Sequence, residues 1–214
     1  MDRRRDVRAT YDRIASHFAA TREYAWPEVE SFLEGVPEGR IGLDLGCGNC
    51  RHAEPLAKRV DRVVGIDVSR GLLEKGRERA TERGFTVALL QADAARIPLA
   101  TDAIDVAVYV ATLHHLPTRE ERVGSLDELA RVLAPDAPAL VSAWSTEHDR
   151  FDAEESFDTT IAWTLPGGER VDRFYHIYDP GSFVADVEAS ALELEEWRIS
   201  SGNCYATVRG LGGE

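Results

Sequence analysis

Hydrophobic residues recur along this chain in short runs separated by helical patterns. Ile41, Leu43 and Leu45 alternate with smaller or polar neighbours and predict a buried strand. Arg62–Asp67 with Val63, Val64 and Ile66, Val87–Leu90, Ile104–Tyr109 and Ala139–Ala143 predict four more. Helices are expected between them: one around 50–59, one from a Ser69 cap toward Arg83, and one opened by a Thr118-x-x-Glu121 capping box, with Val123, Leu126, Leu129, Ala130 and Leu133 on its buried side. Strand–helix alternation at this spacing predicts an α/β fold: a Rossmann-like, mostly parallel seven-stranded sheet with helices on both faces.

The flanks extend this frame. Val7, Tyr11, Ile14, Ala15 and Phe18 share one helical face, and Pro27 suits the first turn of a second helix that stops at Gly35. The aromatic linker between them, 21–26, is placed to act as a lid. Residues 145–173 read as long, acidic and irregular; order is expected to return with Asp172–Tyr178, a helix near Pro180–Ala189 and strands at Glu193–Ile199 and Cys204–Val208. The closing 210–214 reads as mobile. One domain, 1–214, is expected, comprising a helical lid (1–35), a cofactor-binding core (36–144) and an acceptor-side segment (145–214).

The first strand runs into Asp44-Leu45-Gly46-Cys47-Gly48-Asn49. Gly46 and Gly48 can take positive φ and admit a ligand against the backbone, and a helix starting near Asn49 would present N–H groups to it. A dinucleotide loop needs a small residue where Arg51 stands, which disfavours NAD. An acid two residues before the first glycine suits the ammonium end of S-adenosylmethionine instead. Asp67, about twenty residues on, falls where ribose hydroxyls would sit, and Asp93 stands at the position where many S-adenosylmethionine methyltransferases, which this arrangement resembles, contact adenine through an acid. Each of the three acids lies at or just past a predicted strand's C-terminal end.

The formal net charge is −13, and of 25 basic residues only Lys58 and Lys75 are lysine. Such a surface fits a protein working in very high salt, as in a halophilic archaeon, where self-repulsion is screened. No apolar run is long enough to span a membrane and no signal-peptide core is present, so a cytoplasmic protein is expected. Three cysteines cannot form a disulfide framework, and Cys47-x-x-Cys50 lies inside the glycine loop without a second ligand pair, so no metal is expected.

The block Tyr11-Asp12-Arg13-Ile14-Ala15-Ser16-His17-Phe18 with Thr21-Arg22 and Trp26-Pro27, the glycine loop, Ala111-Thr112-Leu113-His114-His115-Leu116-Pro117-Thr118, Trp144 and Tyr175-His176 resemble the class I methyltransferases that esterify wobble carboxymethyluridine in tRNA. The same domain occurs in animals fused to an AlkB-type hydroxylase. The resemblance spans Tyr11 to about Val208. It implies S-adenosylmethionine as cofactor, held by Tyr11, Asp44, Gly46, Gly48, Asp67, Asp93, Ala94 and Val110, and a small zinc-binding activator that pairs a strand with the sheet to form a heterodimer. The family usually has glycine at the position of Cys50, a Pro-Gly-Gly turn where Pro135-Asp136-Ala137 stands, and glutamine at His148.

A carboxylate acceptor is ionised at neutral pH and needs no strong base, so orientation and exclusion of water are expected to dominate catalysis. Arg22 is the candidate carboxylate clamp. His114 and His115 are candidate hydrogen-bond partners of the acceptor or core residues, and Trp144 and Tyr175 are flat faces for an unstacked base or core aromatics. Arg3, Arg4, Arg5 and Arg8 are candidate RNA contacts on an otherwise acidic chain. The competing readings are a small-molecule O- or C-methyltransferase and a subunit that binds S-adenosylmethionine without turnover.

Overall fold

A computed structural model describes residues 3–211, with the side chains of residues 3–5 outside the description. The expected mobility of 212–214 and the proposed contacts of Arg3, Arg4 and Arg5 therefore lie outside the described residues.

Nine strands and six helices follow in chain order among the described residues: α1 (Arg3–Ala20), α2 (Pro27–Gly35), β1 (Gly39–Leu45), α3 (Ala53–Leu56), β2 (Val60–Asp67), α4 (Arg70–Arg83), β3 (Val87–Gln91), β4 (Val106–Val110), α5 (Arg119–Val132), β5 (Pro138–Trp144), β6 (Phe157–Thr164), β7 (Arg170–Ile177), α6 (Pro180–Glu188), β8 (Leu192–Ser200) and β9 (Asn203–Gly210). Seven strands form one sheet in the order β3-β2-β1-β4-β5-β9-β8, parallel from β3 to β5 and antiparallel on either side of β9. The order reverses between β1 and β4, and the crevice at their C-terminal ends is where ligands enter such sheets.

Period-two alternation sends side chains to both faces. Leu43, Leu45, Ala107, Tyr109 and Val141 join α5 and α6 in one core, while Val106, Val108, Val110 and Leu140 join α2 and α3 in the other. The helix ends follow their sequence signals. Ser69 Oγ accepts from Leu72 N at 3.2 Å, Gly84 closes α4 at φ 72°, and both halves of the Thr118/Glu121 capping box form.

Two expectations need correction. The helix expected over 50–59 is a single helical turn, α3, preceded by turns at 49–52. Cys50 takes φ 62° there, and a helix cannot begin through a left-handed residue. The segment 145–173 is also not irregular throughout: β6 and β7 pair antiparallel as a separate hairpin. Pro166-Gly167-Gly168 supplies its turn, with both glycines at positive φ. Ile161, Trp163, Val171, Arg173, Tyr175 and Ile177 share the face turned toward α1 and the end of β5; the charge of Arg173 on that face and the apolar Ala162 and Phe174 on the other blur the alternation.

Candidate functional site

Gly46 and Gly48 stand at φ 73° and 52°, in the region that favours glycine. Their roles differ. A Cβ on Gly46 would lie 2.0 Å from Thr112 Oγ1, so this glycine lets the loops after β1 and β4 pack together; a Cβ on Gly48 would meet only the Phe18 ring, at 3.7 Å, and would project into open space. Cys50 holds a left-handed conformation without being glycine, at a cost of about 1–2 kcal/mol.

The loop is held from below and from the side. Asp67 accepts from Gly48 N and Ser69 N, each at 2.8 Å. Asn49 Nδ2 donates to the Arg22 carbonyl at 2.8 Å, tying the 21–26 linker to the glycine loop. Asp12 accepts from Ser69 Oγ at 2.7 Å and Gly71 N at 2.9 Å, clamping α1 onto the start of α4. The N-terminal helix thereby roofs the C-terminal edge of the sheet.

Beneath that roof is a cavity of about 940 Å³. Of the candidate cofactor residues, Tyr11, Gly46, Gly48, Asp67, Asp93, Ala94 and Val110 line it. Asp44 does not reach the wall. It is 1% exposed, hydrogen-bonded to the Ala53 backbone, and its Oδ2 has no partner. Burial, and secondarily the nearby Asp67, pushes its carboxyl up to about 7, while burial pushes Asp67 up to about 6. An orphaned buried carboxylate oxygen beside a ligand-sized cavity is what a bound cation would satisfy, and the open Gly48 cradle leaves room for it. The lining fits S-adenosylmethionine: the acids Asp67 and Asp93, and an apolar wall from Ile66, Val68, Leu72 and Ala92.

A second cavity of about 1120 Å³ adjoins the first, and Tyr11, Phe18, Arg51, Ala111 and His115 line both. The candidate acceptor residues Arg22, His114, His115, Trp144 and Tyr175 all line it. Tyr175 stacks obliquely on His114 (5.0 Å) and His115 (4.6 Å) and meets Trp144 edge-on at 5.2 Å. Ala111, at φ 55°, marks the junction, its N–H on the Ser142 carbonyl at 3.2 Å.

Both histidines are neutral rings with their lone pairs in use. His115 Nδ1 faces the Phe174 carbonyl at 2.8 Å and so carries the proton, leaving Nε2 to accept from Tyr11 Oη at 2.8 Å. His114 Nδ1 accepts from Trp144 N at 2.9 Å. Burial lowers His115 to about 4 and His114 well below its ordinary range.

Sequence reasoning missed three contributors. Arg51, read only as an obstacle to NAD, lines both cavities with its guanidinium 4.8 Å from the Trp26 ring centre. Arg173 lines the second cavity from the hairpin that the sequence did not reveal. His52, in the first cavity, has both ring nitrogens buried without partners. Alternation within β7 was the available signal for Arg173; none distinguished His52. Cys47 and Cys50 are buried free thiols.

A profile of the family described as a methyltransferase domain matches residues 43–136. The mouse protein named tRNA (carboxymethyluridine(34)-5-O)-methyltransferase ALKBH8 is 37% identical over 144 residues, covering 67% of this chain and 20% of that protein. An Arabidopsis thaliana protein named tRNA (carboxymethyluridine(34)-5-O)-methyltransferase is 34% identical over 176 residues, covering 82% of this chain and 39% of that one. The chain thus spans between a fifth and two fifths of the length of these relatives. Among solved structures, a methyltransferase from Haloferax volcanii, in complex with the Trm112 methyltransferase activator, superposes with a TM-score of 0.71 at 14% identity, over 97% of this chain and 99% of that one. The glycine loop, the acids at the strand ends and these relationships together place the chain among the class I S-adenosylmethionine-dependent methyltransferases, in the group related to the wobble carboxymethyluridine enzymes.

Proposed function

We propose that this protein transfers a methyl group to the carboxylate of carboxymethyluridine at the wobble position of tRNA. The observation that carries this reading is the lack of a free basic nitrogen in the acceptor cavity. The imidazoles of His114, His115 and His148 each have their acceptor nitrogen occupied, by Trp144 N, Tyr11 Oη and Arg150 N respectively. Glu28, the one carboxylate that lines the cavity among the described residues, takes the Ser200 hydroxyl at 2.5 Å. A cavity of this kind suits an acceptor that brings its own anionic nucleophile.

Bound in the first cavity, S-adenosylmethionine supplies an electrophilic methyl group on a sulfonium. Asp44 would hold the ammonium end, Asp67 the ribose, and Asp93 with Ala94 the adenine side. Tyr11, His115 and Ala111, common to both cavities, would frame the passage between donor and acceptor. Trp144 and Tyr175 would flank the extruded base, and the α1 roof would exclude water. Holding the reacting atoms in line is then the main catalytic contribution. The expected division into a lid (1–35), a cofactor core (36–144) and an acceptor-side segment (145–214) is the organisation we infer.

For the activator, β3 is the candidate edge. Its strand Val87–Gln91 carries no charged residue, whereas the other edge, β8, carries Glu193, Glu195, Glu196 and Arg198 with a bulge between Leu194 and Glu196. Charges and bulges are devices that prevent strand pairing, and β3 lacks them. A heterodimer formed at β3, a cytoplasmic setting and a high-salt cell complete the proposal. No helix among the described residues is long and apolar enough to cross a membrane.

Incubation of the chain, with its activator, S-adenosylmethionine and tRNA carrying carboxymethyluridine, tests this reading by nucleoside mass spectrometry. A methyl ester at that nucleoside is expected. Transfer to a small-molecule extract alone, or to neither, would favour the competing readings.

A further inference from the structure

Arg173 is a charge on an otherwise apolar face. It stands between Val171 and Tyr175 on the inward side of β7, opposite Ile161 of β6, and is 8% exposed. Its guanidinium lies over two aromatic rings, 4.8 Å from the centre of Trp163 and 5.2 Å from that of Tyr175. Its Nε is buried without a hydrogen-bond partner, and no described carboxylate pairs with it. Withdrawing a guanidinium from water without an anion costs several kcal/mol, so a fold keeps such a group where a ligand supplies the charge. Arg173 lines the acceptor cavity, and the Tyr175 ring beneath it packs on both His114 and His115.

Arg22, the clamp expected from the sequence, is less suited to that task. Its Nη1 is engaged with the Thr21 carbonyl at 3.1 Å, and it sits on the 21–26 linker above Phe18 and Trp163, each 5.4 Å away. The cavity as a whole carries Arg22, Arg51 and Arg173 against Glu28 alone, a local excess of positive charge on a chain of net charge −13. Such an excess favours an anionic occupant. Planar, rigidly backed guanidinium with a free edge matches a carboxylate in two-point contact better than a flexible surface arginine does.

We propose that Arg173, rather than Arg22, is the specificity-determining residue that grips the acceptor's carboxylate. This rests on the function proposed above and deepens it. Trp163 and Tyr175 fix the guanidinium plane, and its uncompensated charge selects an acid over a neutral amide of the same shape.

The test compares the 214-residue chain and R173Q, each with activator and with S-adenosylhomocysteine in place of the methyl donor, for binding of two anticodon stem-loop RNAs that carry carboxymethyluridine or its uncharged carbamoylmethyl amide; methylation of the same RNAs is then read with S-adenosylmethionine. The unsubstituted protein is expected to prefer the acid by about 30-fold or more, in line with a charge-assisted two-point contact, and R173Q to lose that preference while binding the amide and S-adenosylmethionine within about threefold of the unsubstituted protein. Should R173Q fail to fold, R173K serves in its place, with a preference reduced about tenfold. A variant that still prefers the acid as the unsubstituted protein does overturns the assignment to Arg173. An unsubstituted protein that methylates neither RNA overturns the proposed function itself. Equal loss of acid and amide binding in the variant assigns Arg173 to phosphate or to structure, and also overturns the proposal.

Discussion

Tyr11 donates its hydroxyl to Nε2 of His115 across 2.8 Å, joining the roof helix α1 to the loop after β4. The Phe174 carbonyl holds the other nitrogen, so one ring ties together α1, the sheet and the hairpin. Tyr11→Phe leaves a buried acceptor unsatisfied and is expected to cost about 1–3 kcal/mol. Urea denaturation of the two proteins checks this; equal midpoints would contradict it.

The same ring predicts a pH dependence. Burial holds His115 at about 4 in the folded chain, below the ordinary ~6.5 of the unfolded one. Between these values the unfolded state binds more protons, so the contribution of a neutral His115 is complete above about pH 6.5 and declines as pH falls toward 4. Asp44 and Asp67, raised by burial, act with the opposite sign across an overlapping window. The difference in stability between the unsubstituted chain and His115→Gln isolates the histidine, and it is expected to shrink steadily on acidification. A constant difference would count against a neutral, buried His115.

The parallel sheet, both flanking layers of helices and the loop glycines were legible in the sequence because each rests on a local rule: alternation, caps and positive φ. The hairpin was not. Its inward residues, Ile161, Trp163, Val171 and Tyr175, include the charge of Arg173 among them, and Trp163 and Val171 find their partner in α1, some 150 residues away in sequence. Arg173 was hidden with it: the alternation of Val171, Tyr175 and Ile177 was the one local signal, and a charge standing among them breaks it. The helix near Asn49 was overcalled because Cys50 takes a conformation that its side chain disfavours. The residues Tyr11, His115 and Tyr175 were visible through family resemblance, but their mutual contacts are purely tertiary.

The two loop glycines are expected to fail differently. Gly46→Ala puts a methyl group 2.0 Å from Thr112 Oγ1 at φ 73°, so it disrupts the junction of two loops and lowers the melting temperature as well as cofactor binding. Gly48→Ala meets nothing closer than 3.7 Å and adds only about 1–2 kcal/mol of backbone strain, but its methyl group enters the cofactor cavity. Melting curves and cofactor titration of both variants should show a larger stability loss for Gly46→Ala and a loss mainly of affinity for Gly48→Ala. The reverse order would contradict the roles assigned.

A net charge of −13 on this chain predicts salt-dependent stability. Raising KCl from about 0.1 M to about 2 M shortens the screening length several-fold and should raise the melting temperature as self-repulsion is relieved. A melting temperature that is unchanged or lower in high salt would argue against adaptation to a saline cell.

The central claim is that Asp44, buried with one oxygen unpartnered, receives the ammonium of S-adenosylmethionine. Its carboxyl sits at about 7 in the free protein, so the cation must displace a proton below that pH. Calorimetric titration with S-adenosylmethionine from about pH 5.5 to about pH 8 is the most direct measurement. One-to-one binding is predicted, strengthening up to roughly tenfold per pH unit until it levels off above about pH 7, with Asp44→Asn weaker and flatter in its pH profile, keeping only the dependence that Asp67 contributes. No heat of binding, or an Asp44→Asn variant with the affinity and pH profile of the unsubstituted chain, would contradict it.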